Sequence, residues 1–304
     1  MIEVYILFFI SALLVFMIGG SLASFIAVLV YREKEVSINT FENKKTFSKA
    51  ILGRSYCETC KHKLGPFDLI PVLSYIYLNG RCRYCKNKIS VEYFFVELVL
   101  GAIFTIDFLY SMYLLPQNGF NISIFYINLI LFFIFASIIF YVSYYDIKNY
   151  LISDTMVALL SALGLVTMFI PEFLQQSSNM LFSYFSNQYL NIFMYHLLSG
   201  ILTLILFLAI YILTNRKGIG LGDVYLSFPL SFILGFDLSL VFVYISFISG
   251  GLYGLYVLLL RRKKLKDPIF FAPFMGIGFL SSLIFYSYFL SLPIFLILHY
   301  YLGV

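Results

Sequence analysis

Apolar residues run along this chain in long blocks, separated by short polar stretches. The blocks fall at roughly 4–30, 92–115, 123–145, 155–171, 192–214, 223–235, 238–260 and 269–291. Most reach the length of about 20 residues that crosses a hydrocarbon core. The pattern therefore predicts an all-α membrane protein with about eight transmembrane helices. The 223–235 block is short, so 223–260 admits other divisions. Residues 4–30 read as a retained first span, because Ser21, Ala23 and Ser24 sit too close to further apolar sequence to read as a cleavage site. One stretch, 31–91, interrupts the pattern and predicts a small polar domain. The expected division is a first helix at 1–30, the polar domain at 31–91 and a polytopic region at 92–304.

Composition agrees with this reading. The chain is 62% hydrophobic and 12% charged, with a mean hydropathy of +0.94, whereas soluble domains carry about 25% charged residues. The net charge of +5 matters less than where the charge lies. Twelve Lys and Arg fall in 31–91, one (Lys148) follows the third block, two (Arg216, Lys217) follow the fifth, and five lie in 261–266, which accounts for all twenty. The opposite loops carry none. By the positive-inside rule the basic loops face the cytoplasm and both termini face outward. The lipid bilayer then explains the basic loops, and no nucleic-acid partner is expected.

All four cysteines lie in the polar domain, as Cys57-Glu-Thr-Cys60 and Cys82-Arg-Tyr-Cys85, with 21 residues between the pairs. Two such knuckles form a zinc-ribbon-like pattern, because each turn offers two thiolates to one tetrahedral ion. Lys61, Lys63, Arg81 and Arg83 are placed to favour the thiolates. The other readings are two disulfides or four unligated thiols, and a reducing cytoplasm disfavours the first. Four thiolates would close the coordination sphere, so the Zn(2+) expected here is structural. It would supply much of the folding energy of so small a domain.

Ionisable residues at a membrane rim are functional candidates. Here they are Glu97, Asp107, Asp146, Asp154 and Asp223. Asp146 and Asp154 bracket a turn, and Asp223 closes the run Gly218-Ile-Gly220-Leu-Gly222-Asp223. The topology puts Asp146 at the end of the third block and Asp223 at the start of the sixth, both on the cytoplasmic side. A close carboxylate pair shares a proton. One member can then activate water while the other polarises a carbonyl. Gly218, Gly220 and Gly222 would admit a substrate strand and adopt positive φ. The competing reading makes Asp223 a helix cap and Asp146 a solvated helix end, and spacing alone favours it slightly. The glycine run lacks the Lys-Ser/Thr ending of a phosphate loop.

At this point the residues resemble a known family. Gly53-Arg-Ser-Tyr-Cys57-Glu-Thr-Cys60, Asp68-Leu-Ile-Pro-Val-Leu-Ser-Tyr75, Gly80-Arg-Cys82-Arg-Tyr-Cys85, Ile89-Ser-Val-Glu-Tyr93 and Glu97 resemble the cytoplasmic domain of the type IV prepilin peptidases. The Asp146–Asp154 turn and the Gly-x-Gly-x-Gly-Asp run resemble the two catalytic motifs of that family. Phe271-Ala-Pro-Phe274 resembles its last-span motif, and Ser24–Arg32 its opening one.

The resemblance implies a bacterial inner-membrane aspartic protease that removes the leader of prepilins or pseudopilins at the cytoplasmic face. It also implies N-methylation of the new terminus with S-adenosylmethionine in many members. Asp146 and Asp223 fall on the catalytic aspartates, with Asp154 and Gly218, Gly220 and Gly222 in support. Cys57, Cys60, Cys82 and Cys85 fall on the tetracysteine site. Glu97 falls on the family's Glu, a candidate for methyl transfer, although an acid in the first turns of a helix is also favoured by the dipole alone. Ser153 stands where Pro is usual, Tyr225 where Lys is usual, Ala27 for Asn and Phe94 for Pro. A reading from another class is a non-enzymatic transport or assembly subunit that docks through its zinc domain.

Overall fold

The computed structural model describes residues 2–39, 53–57, 59–114, 122–169, 188–216, 218–260 and 269–284. Lys217, residues 261–266, His299 and the end of the 269–291 block lie outside them. The described residues form helices α1 (Ile2–Asn39), α2 (Leu73–Tyr77), α3 (Val91–Leu114), α4 (Ile122–Asn149), α5 (Asp154–Thr167), α6 (Gln188–Leu213), α7 (Leu221–Leu259) and α8 (Ala272–Ile284). A 3-10 turn covers Pro66–Asp68. Among the described residues five helices are long and apolar enough to cross a membrane, and α5 and α8 are shorter apolar helices. Large apolar side chains such as Leu7, Phe9, Ile205 and Leu252 stay exposed, as helices bathed in lipid require.

The chain divides into two compact units, Met1–Tyr141 and Val142–Val304. In the first, α1 packs on α3. The approach is close because small residues meet. A side chain at Gly19 would lie 2.9 Å from the Leu100 carbonyl, and one at Gly101 would lie 2.8 Å from Phe16. Small residues are the usual means of bringing apolar helices together where lipid removes the hydrophobic drive. Phe104 stacks on Phe133 of α4 at 4.0 Å, and Phe108, Phe125 and Leu129 close the apolar core.

In the second unit α7 packs against α5, α6 and α8. Its 39 residues exceed any single span, and the chain turns back at Gly235 (φ 76, ψ 176), a backbone region open essentially only to glycine. Ser239 Oγ lies 3.2 Å from the Ser231 carbonyl, although eight residues of continuous helix would span about 12 Å. Both limbs lie along α6: Gly200 faces Phe228, and Phe207 meets Phe247. The two blocks 223–235 and 238–260 are these limbs.

Breaking a helix inside a membrane frees carbonyls that need donors. Here α6 and α7 supply them. Ser199 Oγ donates to the Ser231 carbonyl at 3.1 Å, Ser239 Oγ to the Gly235 carbonyl at 2.6 Å, and His196 Nδ1 meets the Phe232 carbonyl at 2.7 Å. His196 is therefore a buried structural residue, not the interfacial one its place near the end of a block suggests.

Candidate functional site

The turn after α4 and the start of α7 come together in the second unit. Tyr150, in the left-handed region (φ 54), ends α4 and returns its N–H to the Asp146 carbonyl at 2.8 Å. Ser153 then opens α5 with φ −77, a value proline would also adopt, so the missing proline leaves the turn unchanged. Ile152 of this turn packs directly on Gly222, where a side chain would meet its Cβ at 3.0 Å. The two carboxylate-bearing segments are thus in contact one residue before Asp223.

Asp146 and Asp223 are both buried, at 5% and 6% exposure, and near enough to interact electrostatically. Each is held by a helix N-terminus. Asp146 Oδ2 accepts the Ala272 N–H at 3.1 Å, at the start of α8, and the Phe271 N–H as well. Asp223 Oδ2 accepts the Gly220 N–H at 3.1 Å, capping its own helix. Its other oxygen, Oδ1, is buried with no hydrogen-bond partner among the described residues. Asp223 therefore caps its own helix and also lies within the electrostatic reach of Asp146. Such a pair can hold and exchange a proton. Asp154 is exposed at the first turn of α5, apart from the buried pair.

The glycines differ from expectation in one respect. Among the described glycines only Gly80 and Gly235 have positive φ. Gly220 is an extended N-cap at φ −72, ψ 151. Gly222 is small because Ile152 occupies the space a side chain would need. Gly218 closes a short turn, its N–H donating to Thr214 Oγ1 at 3.1 Å.

The four cysteines gather in the first unit. Their sulfurs all lie within 4.8 Å of one another, and none is in a disulfide. Cys57 Sγ and Cys85 Sγ are 3.8 Å apart. A tetrahedron with Zn–S bonds near ~2.3 Å has sulfur edges of about 3.8 Å, so the set fits a tetrahedral ion. The two knuckles repeat one geometry. Cys57 N donates to the His62 carbonyl and Cys82 N to the Asn87 carbonyl. Lys61 and Lys86, four residues after each first cysteine, share positive φ. Bridges Tyr56–Lys63 and Arg81–Lys88 close each loop.

The Cys57 thiol is held down to about 6, first by the Cys60 backbone N–H. Backbone donors of the knuckle do the work assigned above to the basic side chains. Arg83 is instead paired with Asp68 at 2.7 Å. Asn87 Nδ2 donates to Thr59 Oγ1 at 2.7 Å, and His62 stacks on Tyr84 at 3.6 Å, tying one knuckle to the other.

Glu97 sits on α3. Its Oε2 accepts the Val72 N–H at 2.7 Å. Val72 is a β-branched residue at φ 62, ψ −50, a strained conformation that persists only where its surroundings enforce it. Nothing in the sequence marks that contact. Asp107, deep in α3, is buried at 6% exposure, with Oδ2 unpartnered among the described residues.

A polytopic helical membrane protein with a buried carboxylate pair and a separate four-thiol site is the class that fold and site define. The family model for the bacterial peptidase A24 N-terminal domain matches residues 17–111, and that for the type IV leader peptidase family matches residues 133–255. The chain belongs to the type IV leader peptidase family and is an enzyme of it, not a transport or docking subunit.

Relatives named prepilin leader peptidase/N-methyltransferase include one from Bacillus subtilis, 29% identical over 75% of this chain and 80% of the relative. Another, from Legionella pneumophila, is 27% identical over 83% of this chain and 80% of the relative. One from Pseudomonas aeruginosa is 26% identical over 78% of this chain and 73% of the relative. No solved structure is a significant match to the chain.

Proposed function

We propose that the chain is an intramembrane aspartic endopeptidase. It cleaves the leader of prepilins or pseudopilins at the cytoplasmic face of a bacterial inner membrane and methylates the new N-terminus. The observation that carries the reading is the burial of Asp146 and Asp223 together, each anchored through one oxygen to a helix N-terminus. Anchoring fixes both carboxyls before substrate arrives, which is what positioned acid–base groups require. One carboxylate takes a proton from the attacking water, and the other donates to the scissile carbonyl. Asp154 and the three glycines shape the approach without touching the proton. The basic loops support the cytoplasmic orientation.

Cys57, Cys60, Cys82 and Cys85 would hold a structural Zn(2+), which would stitch the two knuckles into one domain. A cavity of about 260 Å³ in the first unit is lined by Tyr31, Tyr75, Tyr93, Glu97 and the cations Arg32, Arg83 and Lys88, beside Cys57 and Cys82. The aromatic faces and Glu97 would suit the sulfonium of S-adenosylmethionine, and the cations would suit its carboxylate. That cofactor would supply the methyl group. The test incubates the reconstituted enzyme with a prepilin and labelled S-adenosylmethionine and reads the product by mass spectrometry. Loss of the leader and gain of one labelled methyl are expected. A cleaved but unlabelled product would remove the methylation half, and an intact prepilin would remove the whole reading.

A further inference from the structure

The segment between the two knuckles is not built like the rest of the polar domain. Residues 64–80 contain one charge, Asp68, and it is neutralised by Arg83 at 2.7 Å. Along this segment Phe67 is 74% exposed, Leu73 55%, Ile76 57% and Tyr77 78%. A water-facing surface of this kind is unfavourable, since apolar side chains gain free energy on leaving water. Basic residues border it on both sides: Lys61 and Lys63 before, Arg81, Lys86 and Lys88 after.

The segment's position is fixed by two contacts with membrane-spanning helices. Pro71 lies against Gly20, where a side chain would meet it at 2.7 Å, well inside the Ile6–Glu33 span. The Val72 N–H reaches Glu97, six residues into α3, or about 9 Å past its first residue at 1.5 Å per residue. Pro71 and Val72 are buried there, while the apolar residues flanking them point away from protein.

We infer that residues 66–77 dip into the bilayer, so that Phe67, Leu73, Ile76 and Tyr77 seat in the acyl–headgroup boundary beneath a rim of basic side chains that meets anionic headgroups. Three features converge on lipid as the occupant. The segment lies against α1 and α3, which themselves expose apolar side chains such as Phe25 and Phe95, its flanks have the charge that anionic lipid attracts, and its bracing places its backbone at membrane depth. An apolar patch bordered by Lys and Arg is the pattern of an interfacial element. The tetracysteine domain is then anchored in the leaflet and does not swing free in water. This holds whether or not the proposed peptidase reading does.

The chain contains no tryptophan, so one inserted residue reports alone. Leu73→Trp and Ile76→Trp, with Thr59→Trp in the first knuckle as reference, are each reconstituted as the full chain in vesicles. The vesicles contain phosphatidylethanolamine and phosphatidylglycerol with brominated acyl chains. Bromolipid quenching at 73 and 76 severalfold above that at 59, with weak quenching by aqueous iodide, is expected. Equal lipid quenching at all three sites with full iodide access at 73 and 76 would overturn the inference. Protection from both quenchers, which a protein partner or a second copy would give, would also overturn it. Folding of each variant is checked by retained metal content.

Discussion

Adding one methyl group at Gly222 tests whether the contact between the two carboxylate segments matters. In Gly222→Ala the new Cβ would stand 3.0 Å from Ile152 Cβ, whereas carbon pairs rest near ~3.5–4.0 Å. Overpacking of this kind costs about 1–3 kcal/mol. Gly222 also lies in the first turn of α7, where alanine gains up to about 1 kcal/mol of helix propensity. The two effects oppose, so global stability changes by less than the clash.

The clash is relieved by moving Ile152, and with it the turn joined to the end of α4 that carries Asp146, away from Asp223. The strain therefore falls on the carboxylate pair, and prepilin cleavage should drop roughly tenfold, since about 1.4 kcal/mol corresponds to tenfold in rate. Ile152→Ala keeps the Cβ but removes the Cγ1 and Cδ1 contacts at 3.2 and 3.3 Å, so the double variant should recover part of the loss, with a coupling of about 0.5–3 kcal/mol. Cleavage kinetics and thermal unfolding measured together read both effects. Wild-type cleavage in Gly222→Ala, or no recovery in the double variant, would refute the reasoning.

Other consequences are as direct. Glu97→Gln keeps an acceptor for the Val72 N–H and should hold hydrogen-exchange protection across 70–74, whereas Glu97→Ala should lose it, at about 1–3 kcal/mol for an unsatisfied buried donor. In metal-stripped protein near neutral pH, iodoacetamide should modify Cys57 ahead of Cys85. The Cys57 thiolate forms above about 6, whereas the Cys85 thiol is pushed up to about 11: the Asn87 backbone N–H favours its thiolate, but burial and the neighbouring thiols outweigh it. Labelling of Cys57 should thus fall as pH drops through about 6, and a flat profile would contradict the assignment. Metal analysis of the purified enzyme should find about one zinc per chain, lost in Cys57→Ser with Cys85→Ser. Gly235→Ala should lower thermal stability by at least about 1–3 kcal/mol, because its backbone region is closed to alanine and Tyr195 stands 2.7 Å from the new Cβ.

Much of this architecture is legible in the sequence because a membrane makes residue choice stringent. Charges are so rare in the apolar blocks that Asp146 and Asp223 stand out, and CxxC spacing announces the thiol cluster before any fold is known. The reversal at Gly235 is legible only as a short block followed by another, since a single glycine does not say which way the chain turns. The donors to Asp146 are hidden for a different reason. They are the backbone N–H groups of Phe271 and Ala272, 126 residues away in the case of Ala272, and backbone groups carry no sequence signature. The Val72–Glu97 contact is hidden because a strained φ at valine runs against local preference and exists only through tertiary contact. At Gly222 the residue is expected for its φ, yet its role is to leave room for Ile152.

The central claim is that Asp146 and Asp223 together carry peptide hydrolysis, and conservative replacement tests it most directly. Asp146→Asn and Asp223→Asn, purified and reconstituted, are assayed for prepilin cleavage, with metal content as a check that the tetracysteine domain is intact. The account predicts a loss of at least about a hundredfold in each, in line with removal of a positioned acid–base group, and no greater proportional loss in the double variant than in the worse single one. Near wild-type cleavage by either single variant would contradict it.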